Sequence, residues 1–113
     1  MATAEECRQA LERLTGRIAE MDEADRKAHL VDRVISCTIS DLGVTFVTEL
    51  GPGGAAPVRE RNGYDEPQVR FTAKSDDLIA IADDPTSIAR AWVTGRLKVE
   101  ASIWDLLRLR KVL

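Results

Sequence analysis

The hydrophobic period changes once along this chain, and that change restricts the fold more than any other feature. Cys7, Leu11, Leu14, Ile18 and Met21 recur at steps of four and three. That spacing makes one apolar stripe on an amphipathic helix. From Ile35 onward the period is two. Ile35, Cys37 and Ile39 alternate with Ser36, Thr38 and Ser40, and Val44, Phe46, Thr48 and Leu50 continue the pattern. Val69, Phe71 and Ala73 then alternate with Gln68, Arg70 and Thr72. Such alternation builds strands with one buried face. A helix stripe and a one-sided sheet each need a cover, and the economical solution is to cover one with the other.

Local signals set the element boundaries. Thr3 and Glu6 have the spacing of a capping box. The stripe that follows docks on the chain's own core, or else forms the coiled-coil seam of a homodimer, for which it runs rather short. Asp22 and Asp25 open a second, short helix through Leu30. Leu42-Gly43 turns the first strand into the second. The stretch 51–67 holds three of the 4 prolines and four of the 7 glycines, so it is not one regular element. It reads as a flexible surface hairpin or flap, with a short edge strand at Val58–Arg61 before the Asn62-Gly63 turn signal. Ser75 is placed to cap a helix whose first turn carries Asp76 and Asp77 and whose buried face is Leu78, Ile81 and Ala82. Asp84-Pro85 starts the next helix, which carries Ile88, Ala91 and Trp92 and ends at Gly95. Leu97 and Val99 mark a last strand. Ser102 and Asp105 cap a final helix with Ile103, Leu106, Leu107 and Leu109, whose cationic end holds Arg108, Arg110 and Lys111. The expected class is α+β, a mostly antiparallel sheet of about five strands with helices packed on one face.

Composition narrows the chemistry. At 113 residues the chain is expected to form a single domain, 1–113. A net charge of −3 and only 2 Trp, 1 Tyr and 2 Phe argue against a nucleic-acid surface. With 1 His and 2 Cys there is no metal or redox motif and no disulfide framework. The acidic start is unlike a signal peptide, and no apolar run reaches membrane length, so a cytoplasmic protein is expected. Twelve Arg against four Lys suggest a GC-rich, bacterial coding genome. Asp76 and Asp77 are adjacent on a helix and diverge, His29 lies near no nucleophile motif, and no phosphate or dinucleotide loop occurs. No enzyme activity and no cofactor are expected.

Residues 67–113 are familiar as a whole. Pro67-Gln-Val-Arg-Phe-Thr-Ala, Ser75-Asp-Asp-Leu-Ile-Ala-Ile-Ala, Ala91-Trp-Val-Thr-Gly-Arg-Leu-Lys-Val-Glu-Ala and Leu106-Leu-Arg-Leu resemble, in sequence and spacing, the sterol carrier protein 2 family. Ala101 departs from a glycine common in that family. The resemblance implies an apolar tunnel between the sheet and the C-terminal helices, holding a fatty acid, phospholipid or sterol-like lipid. Its matching wall positions are Phe71, Leu78, Ile81, Trp92, Leu97, Val99, Ile103 and Leu107. The stretch from Arg96 onward is locally basic, and Arg108, Arg110 and Lys111 are the expected contacts for a lipid head group or an anionic membrane surface. Two classes remain: a lipid-binding carrier, and a ligandless regulatory or assembly module of the same fold with a filled core.

Overall fold

A computed structural model of the chain describes residues 1–63 and 65–112, with the side chains of residues 19, 29 and 109–112 outside the described set. The readings placed on the side chains of His29, Leu109, Arg110 and Lys111 therefore lie outside the described residues.

Helix α1 (Ala4–Ala19) begins as its sequence dictates. The Thr3 hydroxyl accepts from the Glu6 amide and the Glu6 carboxylate accepts from the Thr3 amide, both at 3.1 Å. Helix α2 (Glu23–His29) follows, but Asp22 makes no side-chain hydrogen bond to its first turn. The strands are β1 (Arg33–Ile39), β2 (Val44–Gly51), β3 (Gly54–Ala55), β4 (Arg59–Glu60), β5 (Val69–Ala73) and β6 (Leu97–Glu100). Gly43 adopts φ +65° in the β1–β2 turn, a conformation that favours glycine.

The sheet runs β3-β2-β1-β5-β6, with β4 also paired to β2. All pairs are antiparallel except β1 with β5, which is parallel. Sequence alternation does not reveal that pair. It arises because β4 and β5 lie on opposite sides of the β1–β2 ribbon, so the segment between them must cross the ribbon. The stretch 51–67 is thus a pairing and crossover segment.

Register gathers the apolar alternation onto one face. Cys37 stands opposite Phe46 and beside Phe71, and Ile39 opposite Val44 and beside Ala73. Leu97 continues the row from Ala73, and Val99 from Phe71. On this face sit α1, α3 (Ser75–Asp83) and α4 (Ile88–Val93). One packed cluster joins Cys7 and Ala10 to Cys37, Ile39, Phe46, Val58 and Leu78. A second joins Ala73, Ile81, Ala91 and Leu97. The first part of the α1 stripe, Cys7 and Ala10, therefore faces inward onto the sheet.

One cap differs from its local reading. Ser75 does not cap α3; the carboxylate of Asp41, in the β1–β2 turn, accepts from the Ser75 amide at 2.8 Å and from its hydroxyl at 2.7 Å. These bonds hold the Asp41 carboxyl below the usual carboxylate range. A long-range partner has taken the role that sequence proximity assigned to Ser75. Gly95 ends α4 with φ +80°, as its position suggests. Helix α5 (Ile103–Val112) opens with the expected box: the Asp105 amide donates to the Ser102 hydroxyl at 3.2 Å, and that hydroxyl donates to the Asp105 carboxylate at 3.0 Å. No described non-glycine residue has positive φ, so Ala101 enters α5 without backbone strain.

Candidate functional site

The two halves of α1 behave differently. Cys7 and Ala10 are fully buried against the sheet. Farther along the same stripe, Leu11, Leu14, Ile18 and Met21 are only half-buried. They line a cavity of about 480 Å³ between α1 and the sheet. Facing them are Ile35 and Cys37 of β1, Phe46 and Leu50 of β2, and Val69 and Phe71 of β5. Leu78 and Ile81 of α3, with Ile88 and Leu97, close one end. Most of this wall is aliphatic or aromatic, with Thr15, Thr48 and Thr86 interspersed. Burial pushes the Cys37 thiol up to about 12, so it contributes a neutral surface.

The other end is charged. Arg33, at the start of β1, donates through Nε to both Asp105 carboxylate oxygens at 3.0 and 3.2 Å. Arg108 donates to the same carboxylate at 3.3 Å. The Asp105 side chain is 8% exposed, those of Arg33 and Arg108 32% and 43%. Arg33, Asp105, Arg108 and Arg17 all border the cavity. A second cleft, of about 450 Å³, lies around Asp32, Glu49, Gly51 and Gln68 and lacks a continuous apolar wall. Among the described residues, no group of three or more His, Cys, Asp or Glu side chains is placed to hold a metal ion. No helix among them is long and apolar enough to cross a membrane.

The expected wall positions divide. Phe71, Leu78, Ile81 and Leu97 border the cavity, and so does Arg108. Val99 packs at the edge of the second core cluster, and Trp92 is half-buried away from the void. Ile103 and Leu107 point outward, 68% and 46% exposed. The reason is helical geometry. Asp105 is drawn inward by Arg33, and residues two positions either side of it fall on the opposite face of the helix. The cavity therefore lies between the sheet and both α1 and the C-terminal helical segments, which contribute Leu78, Ile81, Ile88, Asp105 and Arg108. Leu11, Leu14, Ile18 and Met21 were legible as an inward stripe, but nothing local says that half of it faces empty space. Asp105 reads from the sequence only as a cap, and nothing local marks Arg33.

The fold is an α+β sheet with helices on one face and a mostly apolar void beneath them. The chain belongs to the SCP-2 sterol transfer family, which it matches over residues 2–113. No curated protein matches it. Among solved structures it resembles a solution structure of palmitated sterol carrier protein 2-like 2 from Aedes aegypti. The identity there is 19%, coverage is 98% of this chain and 94% of that one, and the TM-score is 0.68. A crystal structure of that mosquito protein gives 17% identity, coverage of 96% and 97%, and a TM-score of 0.66. The chain also resembles part of the inverting sec-alkylsulfatase Pisa1 from a Pseudomonas species. The identity is 18% and the TM-score 0.58, over 79% of this chain and only 14% of the enzyme. These are likenesses of fold.

Proposed function

We propose that this protein is a non-catalytic carrier that binds one long-chain lipid in the cavity between α1 and the sheet. The observation that carries the reading is the cavity: about 480 Å³ of space walled mostly by apolar side chains. A methylene occupies nearly the volume of a liquid water molecule, about 30 Å³, so the space holds about sixteen of them. That favours a single acyl chain over a two-chain phospholipid. Burying such a chain is worth on the order of 12 kcal/mol gross at about 0.8 kcal/mol per methylene. Association costs roughly 4–15 kcal/mol, which suits a carrier that must release its cargo. The family membership and the palmitated mosquito relative support the same reading. Phe71, Leu78, Ile81 and Leu97 are the wall positions that the family resemblance and the cavity have in common, and α1 supplies the opposite wall. The two free, buried thiols fit a reducing, cytoplasmic setting.

The outer face of α5 is the proposed site of membrane contact during lipid exchange. Ile103, Trp104 and Leu107 are exposed there, beside Arg108. A Trp flanked by aliphatic and cationic residues is the composition of an interfacial helix. The carrier reading is tested by native mass spectrometry of the purified protein, with a thermal-shift panel of palmitate, a phospholipid and a sterol. Mass corresponding to one bound chain, and stabilisation that grows with palmitate concentration, are expected. Absence of both would refute the reading and favour the ligandless module.

A further inference from the structure

We infer that the free edge of β6 is a self-pairing surface, where a second copy of this chain adds its own β6 antiparallel and continues the sheet across a two-fold axis. This goes beyond the carrier reading and does not depend on the cavity. β6 ends the sheet: it pairs with β5 on one side and, among the described residues, with no strand on the other. An open edge offers unpaired amide and carbonyl groups to an added strand. Symmetry then restricts the register. The groups that point to one side of a strand belong to alternate residues, so the two-fold passes through a residue, not between two. An axis through Leu97 sets Lys98 against Arg96 of the second copy. An axis through Lys98 sets lysine against lysine, and one through Glu100 sets glutamate against glutamate. An axis through Val99 sets Lys98 of each copy against Glu100 of the other, twice. Opposite charges in directly facing positions stabilise a strand pair, and like charges weaken it. Lys98 and Glu100 are exposed on the side of the sheet away from the helices, and neither forms an ion pair among the described residues.

The ends of the strand point the same way. Val93, which precedes β6, and Ile103 and Trp104, which follow it, are large apolar side chains left strongly exposed. Antiparallel pairing brings the start of one β6 beside the end of the other, and in the Val99 register Gly95 falls opposite Ile103. Val93 of each copy thereby comes to Ile103 and Trp104 of the other. Apolar contacts at both ends thus flank the two charge pairs. The pairing covers part of the outer face of α5, so self-association competes with the membrane contact proposed for that face.

Sedimentation equilibrium of the full-length protein from about 1 µM to about 1 mM tests the pairing, a span suited to an interface too small for permanent association. The wild type is expected to pass from monomer to dimer within that range. Lys98→Glu alone, or Glu100→Lys alone, turns both attractive pairs repulsive and should raise the dimer Kd by at least about tenfold. The two substitutions together restore the pairs and the wild-type Kd. Mixing the two single variants should produce a heterodimer, because each charge then faces its opposite; a merely structural effect of either substitution does not give that rescue. Circular dichroism confirms that each variant folds. If Glu100→Lys, which sets a lysine opposite Arg70, does not, Lys98→Glu alone decides the matter. Palmitate should stabilise every variant as it does the wild type, so failure of the pairing and failure of the carrier reading are read separately. A wild type that stays monomeric throughout overturns the inference and leaves the edge to a strand of a different protein. So does a dimer whose Kd neither substitution changes, or a pair of folded single variants that do not associate on mixing.

Discussion

Ile35→Trp is the substitution that most sharply separates an empty site from a filled core. Ile35 sits mid-strand on the helix-facing side of β1, opposite Thr48 and beside Val69. It borders the cavity, is only half-buried, and belongs to neither packed cluster. A larger side chain there extends into space. The indole exceeds the butyl group by the volume of roughly two methylene groups, about 1.6 kcal/mol of gross transfer energy for the chain it excludes. A ligand that slides toward the mouth recovers part of this. The expected loss of palmitate affinity is therefore up to about tenfold. The preferred chain shortens from about sixteen carbons to about fourteen, by the same volume arithmetic. Overpacking a filled core costs about 1–3 kcal/mol, whereas entering a void should cost less than about 1 kcal/mol of ligand-free stability. Isothermal titration with C10 to C18 fatty acids, alongside urea unfolding of the ligand-free protein, measures both quantities. Unchanged palmitate affinity, or a large loss of ligand-free stability with no change in chain preference, refutes the reasoning.

Three further outcomes are expected. Thr3→Ala removes the hydroxyl that accepts the Glu6 amide and should cost about 1 kcal/mol in urea unfolding. Cys7 and Cys37 are buried and their thiols raised, Cys37 to about 12, so neither should react with a disulfide reagent at pH 8 until the protein unfolds. Because that value lies above the unfolded one, the associated stability is intact below about pH 8.5 and drains as pH rises toward the folded value. Asp65 behaves in the opposite sense. Hydrogen bonds from Arg59 and the Asn62 amide lower its carboxyl to about 2, so its contribution holds above about pH 4 and is lost as pH falls through the folded value. Asp65→Asn should flatten the acid limb of a stability–pH curve.

The elements themselves were readable because each rests on short-range chemistry. The Thr3–Glu6 box, the alternation of Ile35, Cys37 and Ile39, the left-handed Gly95 and the Ser102–Asp105 box all involve residues within a few positions of one another. What local pattern did not carry was long-range choice. Asp41 caps α3 from 34 positions away. The parallel pairing of β1 with β5 follows from where the crossover between β4 and β5 leads. The site was half legible for the same reason. Phe71, Leu78, Ile81 and Leu97 follow from periodicity and family pattern alike. The outward turn of Ile103 and Leu107 follows from an ion pair between Arg33 and Asp105, 72 positions apart. Periodicity identifies an apolar face, but not whether the space it meets is filled.

The central claim is that the space under the second half of α1 holds a chain. Intermolecular nuclear Overhauser effects between methyl-labelled protein and bound palmitate test it most directly. Contacts from the acyl chain to the methyl groups of Leu14, Ile18, Ile35, Leu78 and Ile81, and none to Ile103 or Leu107, are the result expected. Contacts confined to the outer face of α5, or no contacts at a palmitate concentration that stabilises the protein, contradict it.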